Sequence, residues 1–182
     1  MRGSVLTRTL ATVCLLVIAS TSGRVEARRK PVGSSTGLRA IAFDRVPPDF
    51  AFRTPAGIGH LHDYVGVPVV VNFWATWCEP CEAELETFAR LRDAFGSRVP
   101  LLAISAEAPG VARAYLAARR IDAIPIEDDG HRITDLYTVS AIPVTLVLGR
   151  DGAVTHVSVG QIDWRELREA LAPLATPQAD PT

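Results

Sequence analysis

With 182 residues, 48% hydrophobic content and a formal charge of −1, the chain can bury a sizeable core, and Lys30 as its only lysine leaves no basic face suited to nucleic acid. Nothing repeats at a fixed period, which excludes solenoids and propellers, and one compact domain accounts for the length. Residues 1–27 read as an export signal: Arg2 and Arg8 open it, Leu10 to Ser20 is apolar, and Val25-Glu26-Ala27 resembles a small-residue cleavage site. The apolar stretch falls short of the roughly 20 residues a spanning helix needs. Arg24, Arg28, Arg29 and Lys30 would also lie outside a retained anchor, against the positive-inside tendency. Export is the expectation, to a compartment such as a bacterial periplasm, with an uncleaved signal acting as a tether as the alternative. Cys14 lies in the apolar stretch without a lipid-attachment context.

Residues 28–47, polar, basic and rich in serine and glycine at first, read as a flexible lead-in to a domain over 48–174. Asp49-Phe50-Ala51-Phe52-Arg53 followed by Gly57-Ile58-Gly59-His60-Leu61 predicts a short hairpin. Val67 to Trp74 predicts a buried strand, and Pro80 to Phe95 an amphipathic helix with Leu85, Phe88, Leu91 and Phe95 on one face. A second buried strand is expected at Leu101 to Ser105, a second helix at Val111 to Arg120, and a short helix at Arg132 to Tyr137. Ile142-Pro143 then precedes two strands, Val144 to Leu148 and Ala153 to Val159, joined at Asp151-Gly152. Asp163 can cap a last helix, Glu166 completes a capping-box pattern, and Leu167, Leu171 and Leu174 form its apolar face. Fraying is expected from Pro173, with 175–182 as a disordered tail.

The chemistry concentrates at Trp77-Cys78-Glu79-Pro80-Cys81-Glu82, where two thiols sit one helical turn apart directly after an apolar run. Cys78 falls at the strand-to-helix junction, where unpaired N–H groups and the positive end of the helix dipole favour the reactive thiolate. Cys81, one turn further in, is the natural resolving thiol. Without residues 1–27 these are the only cysteines, so they pair with each other or with a substrate. A bridge across so short a loop constrains the unfolded chain little, which weakens a purely structural reading. His60, His62, His131 and His156 stand in no ligand spacing relative to the cysteines, so a zinc site is unsupported and each reads as a surface histidine.

The chain resembles the TlpA/ResA type of exported thioredoxin-fold thiol-disulfide oxidoreductase, associated with cytochrome c maturation. The resemblance covers about Pro48 to Leu174. It rests on the entry Pro48-Asp49-Phe50, the block Val71-Asn72-Phe73-Trp74-Ala75-Thr76-Trp77-Cys78-Glu79-Pro80-Cys81 with Glu84 after it, and Ile142-Pro143-Val144-Thr145. It implies an α/β fold in which a central mixed sheet is flanked by helices, with an amino-terminal hairpin and a strand-helix insertion that Ala103 to Ile126 fits. By the same resemblance the protein works as a reductase of protein disulfides, apocytochrome c for example. Its reducing equivalents come from a membrane-embedded electron donor, and its redox-active disulfide replaces any metal or organic cofactor. Two departures bear on helix bending and substrate choice: Glu86 stands where relatives commonly have proline, and Val144 where they often have threonine.

Around the helix, Glu84 falls between Phe88 and Leu91 on the side of Cys81, so its carboxylate is expected to be partly buried, with a raised pKa. It could then accept the Cys81 proton, a role to which the resemblance also points; the alternative is an ordinary surface carboxylate. Asn72 stands where thioredoxins proper usually have a buried aspartate, which makes Glu84 the substitute. Glu79 disfavours a thiolate at Cys78 unless solvent screens it, and Pro80 stiffens the first turn without adding positive charge, so both tune the couple toward reduction. Glu82 and Glu86 read as a solvated face. The resemblance places Pro143 as a cis proline facing the dithiol, exposing the Ile142 backbone to substrate, against the plainer reading of a strand-start proline. Trp77 is expected at the rim over the cysteines and Trp74 in the core. Two rival functions remain. A thiol peroxidase of the same fold would need a threonine and an arginine around one cysteine, and a copper metallochaperone would need soft ligands that Met1, the only methionine, does not supply.

Overall fold

Val69–Phe73 (β3) is apolar at every position but Asn72 and buried throughout, as a strand covered on both faces must be. The structure, a computed structural model, describes residues 45–175; the expected signal over 1–27, most of the lead-in and the tail beyond 175 lie outside them. Ahead of β3, Ala51–Thr54 (β1) and Gly57–His60 (β2) form the expected antiparallel hairpin as a separate two-stranded sheet. It docks through Phe50 and Phe52, and the Tyr137 hydroxyl donates to the Pro48 carbonyl at 2.6 Å.

Glu79–Ala83 (α1), Leu85–Phe95 (α2), Leu101–Ser105 (β4), Val111–Ala118 (α3), Ile124–Glu127 (β5), Arg132–Leu136 (α4), Val144–Leu148 (β6), Val154–Val159 (β7) and Trp164–Ala175 (α5) follow. The main sheet runs β5-β4-β3-β6-β7, with β3 parallel to β4, β4 parallel to β5, and β6 antiparallel to both β3 and β7. The insertion expected over Ala103 to Ile126 thus contributes α3 and the edge strand β5. Because side chains alternate along β3, Val69, Val71 and Phe73 join a core with the hairpin, Ile133 and Tyr137. Val70 and Trp74 enter the opposite core with Cys81, Leu85, Phe88 and Leu91, closed by Leu116 of α3 and by Leu167 and Leu171 of α5.

The continuous helix expected over Pro80 to Phe95 is two helices that meet at Glu84 (φ −83°, ψ −7°). No proline causes the break. The Glu84 carboxylate is drawn inward onto buried donors, and the helix register adjusts around it. At the other end of the chain, the Glu166 N–H donates to Asp163 Oδ1 at 2.8 Å, as the capping pattern requires. The reciprocal half does not form, since Glu166 Oε1 lies 2.8 Å from His156 Nε2 instead.

α5 also continues through Pro173 to Ala175, where fraying was expected. Arg150 explains this: its Nε donates to the Leu174 carbonyl at 3.2 Å and its Nη1 to the Gly66 carbonyl at 3.0 Å, while the Gly66 N–H returns a bond of 2.7 Å to the Arg150 carbonyl. In the β6–β7 turn Gly152 takes φ +78°, a conformation that glycine adopts without strain.

Candidate active site

Cys78, in extended conformation at the end of the loop that follows β3, is the N-cap of α1, its Sγ accepting the Cys81 N–H at 3.3 Å. The two sulfurs are bonded to each other, with Cα atoms 5.2 Å apart. Their surroundings differ in the way a nucleophile and a resolving thiol require: Cys78 keeps 6% exposure and Cys81 has 0%. Glu79 and Pro80 are the first two residues of α1, both exposed. Trp77 stands out at 75% exposure, while Trp74 is buried and packs against Tyr115 of the insertion with ring centroids 5.7 Å apart. The insertion also reaches α1 directly: Arg119 lies 3.5 Å over the Tyr115 ring and 2.8 Å from Glu82, holding that carboxyl below its ordinary range. Glu82 is therefore paired rather than simply solvated.

Glu84 is 0% exposed, more completely buried than its place on the helix predicted. Its Oε1 accepts from Asn72 Nδ2 at 2.7 Å and its Oε2 from the Ile162 N–H at 3.2 Å; Asn72 Nδ2 also reaches Thr145 Oγ1 at 3.1 Å. Burial pushes the carboxyl up to about 7, against the opposing pull of the two donors. Asn72 and Glu84, read from the sequence as vacancy and substitute, are direct partners. The same segment is held a second time, because Thr87 Oγ1 donates to the Ile162 carbonyl at 3.3 Å.

Ile142-Pro143 is cis, with Pro143 buried, Ile142 half-buried and the Pro143 carbonyl accepting the Gly160 N–H at 2.9 Å. Between this loop and the dithiol loop opens a groove of about 620 Å³, walled by Phe73, Trp74, Ile104 and Val139 and rimmed by Trp77 and Ile142. The cysteines lie beside the groove rather than in its lining. Glu107 lines it too and went unnoticed in the sequence. Its carboxylate takes the Thr76 N–H at 2.9 Å and the Thr76 hydroxyl at 2.5 Å. The available signal was its position just past the carboxyl end of a buried strand next to the dithiol strand, where open α/β sheets place their sites. Among the described residues no three His, Cys, Asp or Glu side chains converge as a metal site.

Comparison with known proteins matches this arrangement over residues 45–157 to the AhpC/TSA family profile. The chain belongs to the AhpC/TSA family. It is 30% identical over 148 residues to the thioredoxin-like protein YneN of Bacillus subtilis, covering 79% of this chain and 82% of that one. The match to the thiol-disulfide oxidoreductase ResA of Geobacillus kaustophilus is 30% over 139 residues, covering 75% and 80%. Among solved structures, a thio-disulfide isomerase from Thermus thermophilus superposes with a TM-score of 0.60 at 29% identity, over 71% of this chain and 94% of that one. Within the AhpC/TSA family the chain is thus a thioredoxin-fold, ResA-like thiol-disulfide oxidoreductase.

Proposed function

We propose that the protein is an extracytoplasmic reductase of protein disulfides. The observation that carries this is the asymmetry of the pair: an edge sulfur at the N-cap of α1, a fully buried partner, and a fully buried carboxyl one helical turn beyond it, whose pKa burial raises to about 7. In the reduced protein the Cys78 thiolate attacks one sulfur of a substrate disulfide, forming a mixed disulfide and releasing one substrate thiolate. Cys81 passes its proton toward Glu84 and attacks Cys78 Sγ. The second substrate thiol leaves and the Cys78–Cys81 bond re-forms, so two electrons have passed to the substrate. Trp77 and Ile142 flank the entering chain, with Pro143 behind Ile142. The resemblance of the sequence to the TlpA/ResA type points to apocytochrome c as a substrate and to a membrane-embedded thiol relay as the electron donor, and the sequence of residues 1–27 points to export.

The peroxidase alternative loses support at Thr76, whose hydroxyl is donated to Glu107. Peroxide consumption by the reduced protein would revive it, and stoichiometric copper in the purified reduced protein would favour the carrier reading. The decisive experiment is trapping: Cys81→Ala accumulates mixed disulfides with substrate proteins and Cys78→Ala accumulates none. Equal trapping by the two variants would overturn the assignment of roles.

A further inference from the structure

The loop between β3 and Cys78 is short and is held by one side chain from just beyond the neighbouring strand β4. The Trp74 N–H continues the sheet onto the Ile104 carbonyl at 3.0 Å, and the Cys78 N–H closes a turn onto the Ala75 carbonyl at 3.3 Å. Between them Thr76 turns away from the protein's own backbone, and its N–H and hydroxyl both go to Glu107. Glu107 is braced in turn by the Ser105 hydroxyl, which donates to its Oε2 at 3.0 Å, and its own N–H lies 3.3 Å from Ser105 Oγ. The carboxylate is half-buried and forms part of the groove wall beside Trp77 and Ile142. A charge-assisted acceptor so placed is a strut: it ties the end of β4 to the residue two positions ahead of the attacking sulfur.

We infer that Glu107 is a positioning residue, holding Thr76 so that Trp77 and the groove present a protein disulfide to the Cys78 sulfur in attack geometry. The inference rests on the reading of Cys78 as the nucleophile. Without the carboxylate, the Thr76 N–H and hydroxyl lose their acceptor, the loop is free to shift, and the groove no longer meets the sulfur in a fixed orientation. The chemistry of the thiol itself does not depend on this strut, so presentation of a large substrate and intrinsic reactivity should separate.

The test uses the full chain with a protein disulfide substrate. Glu107→Ala lowers kcat/KM about tenfold to a hundredfold. The equilibrium with dithiothreitol and the rate of Cys78 alkylation by iodoacetamide should change by less than about twofold, because no bond to either sulfur is removed. Thr76→Val, which removes the hydroxyl and keeps the N–H, lowers kcat/KM by a smaller factor, and the double variant is no worse than Glu107→Ala alone. Glu107→Gln, with one acceptor oxygen left, recovers part of the loss. A parental kcat/KM for Glu107→Ala would overturn the inference, as would potential and alkylation rate moving in step with it or additive effects of the two sites. Should Glu107→Ala fail to fold, Thr76→Val and Glu107→Gln with their double variant decide by the same criteria. Failure of the nucleophile assignment is seen separately, as trapping by Cys78→Ala.

Discussion

Replacing Glu84 by glutamine should make the oxidised protein more stable at alkaline pH and no more stable in acid. The carboxyl titrates at 4.5 in a solvated chain and at about 7 when folded, because burial penalises its charge. A raised folded pKa means that the neutral form is the one the fold accommodates. Its contribution is complete below about pH 4.5 and is lost as pH rises through about 7. At 1.36 kcal/mol per unit, the loss approaches about 3 kcal/mol once the group is ionised in both states. Glutamine removes that loss, but its single oxygen can serve only one of the two donors, Asn72 Nδ2 or the Ile162 N–H, at a cost of about 1 kcal/mol. The expected gain is therefore about 2 kcal/mol near pH 8.5 and about −1 to 0 near pH 5. Denaturant titrations of both oxidised proteins at these two pH values measure it, and keeping the disulfide closed keeps the thiols out of the titration. A difference between parent and variant that does not change with pH would refute the burial of a titrating carboxyl at this site.

The same variant, reduced, should resolve mixed disulfides more slowly near neutral pH, since the proton acceptor is gone; equal single-turnover rates across about pH 6 to 9 would remove Glu84 from the mechanism. The dithiol should have a potential nearer thioredoxin, about −270 mV, than DsbA, about −120 mV. Glu79→His should shift it in the oxidising direction, and a parental value close to DsbA, read by equilibration with dithiothreitol or glutathione buffers, would favour disulfide donation instead. Leu167→Ala, at a position with 0% exposure where α5 meets α2, should cost about 2–5 kcal/mol in oxidised and reduced protein alike. A loss confined to one redox state, seen in denaturant midpoints, would contradict that packing.

Local patterning made most of the fold legible. The apolar runs of β3, β4 and β6 and the Asp151-Gly152 turn could be read directly, as could the Asp163 cap and the face that carries Cys81, Phe88 and Leu91. What escaped depends on partners distant in the chain. The helix break at Glu84 comes from donors at Asn72 and Ile162, so no proline rule could foresee it. Glu166 left its capping role because His156 comes alongside from β7, and α5 outlasts Pro173 because Arg150 holds its end. Within the site, the two cysteines and Glu84 stood out through spacing and periodicity. Glu107 did not, since its meaning lies in Thr76 on the neighbouring loop, 31 positions away in sequence.

The Arg150 cross-tie closes the pole of the sheet remote from the dithiol. Val69 pairs with Leu148 and Phe73 with Val144, so the β6–β7 turn that carries Arg150 lies at the opposite end of β3 from Cys78. One guanidinium there fastens the chain entering β3, through Gly66, to the last turn of α5, through Leu174. Side-chain ties thus stand at both ends of the sheet, Arg150 at the pole remote from the dithiol and Glu107 beside it, so neither end of β3 depends on its backbone pairing alone.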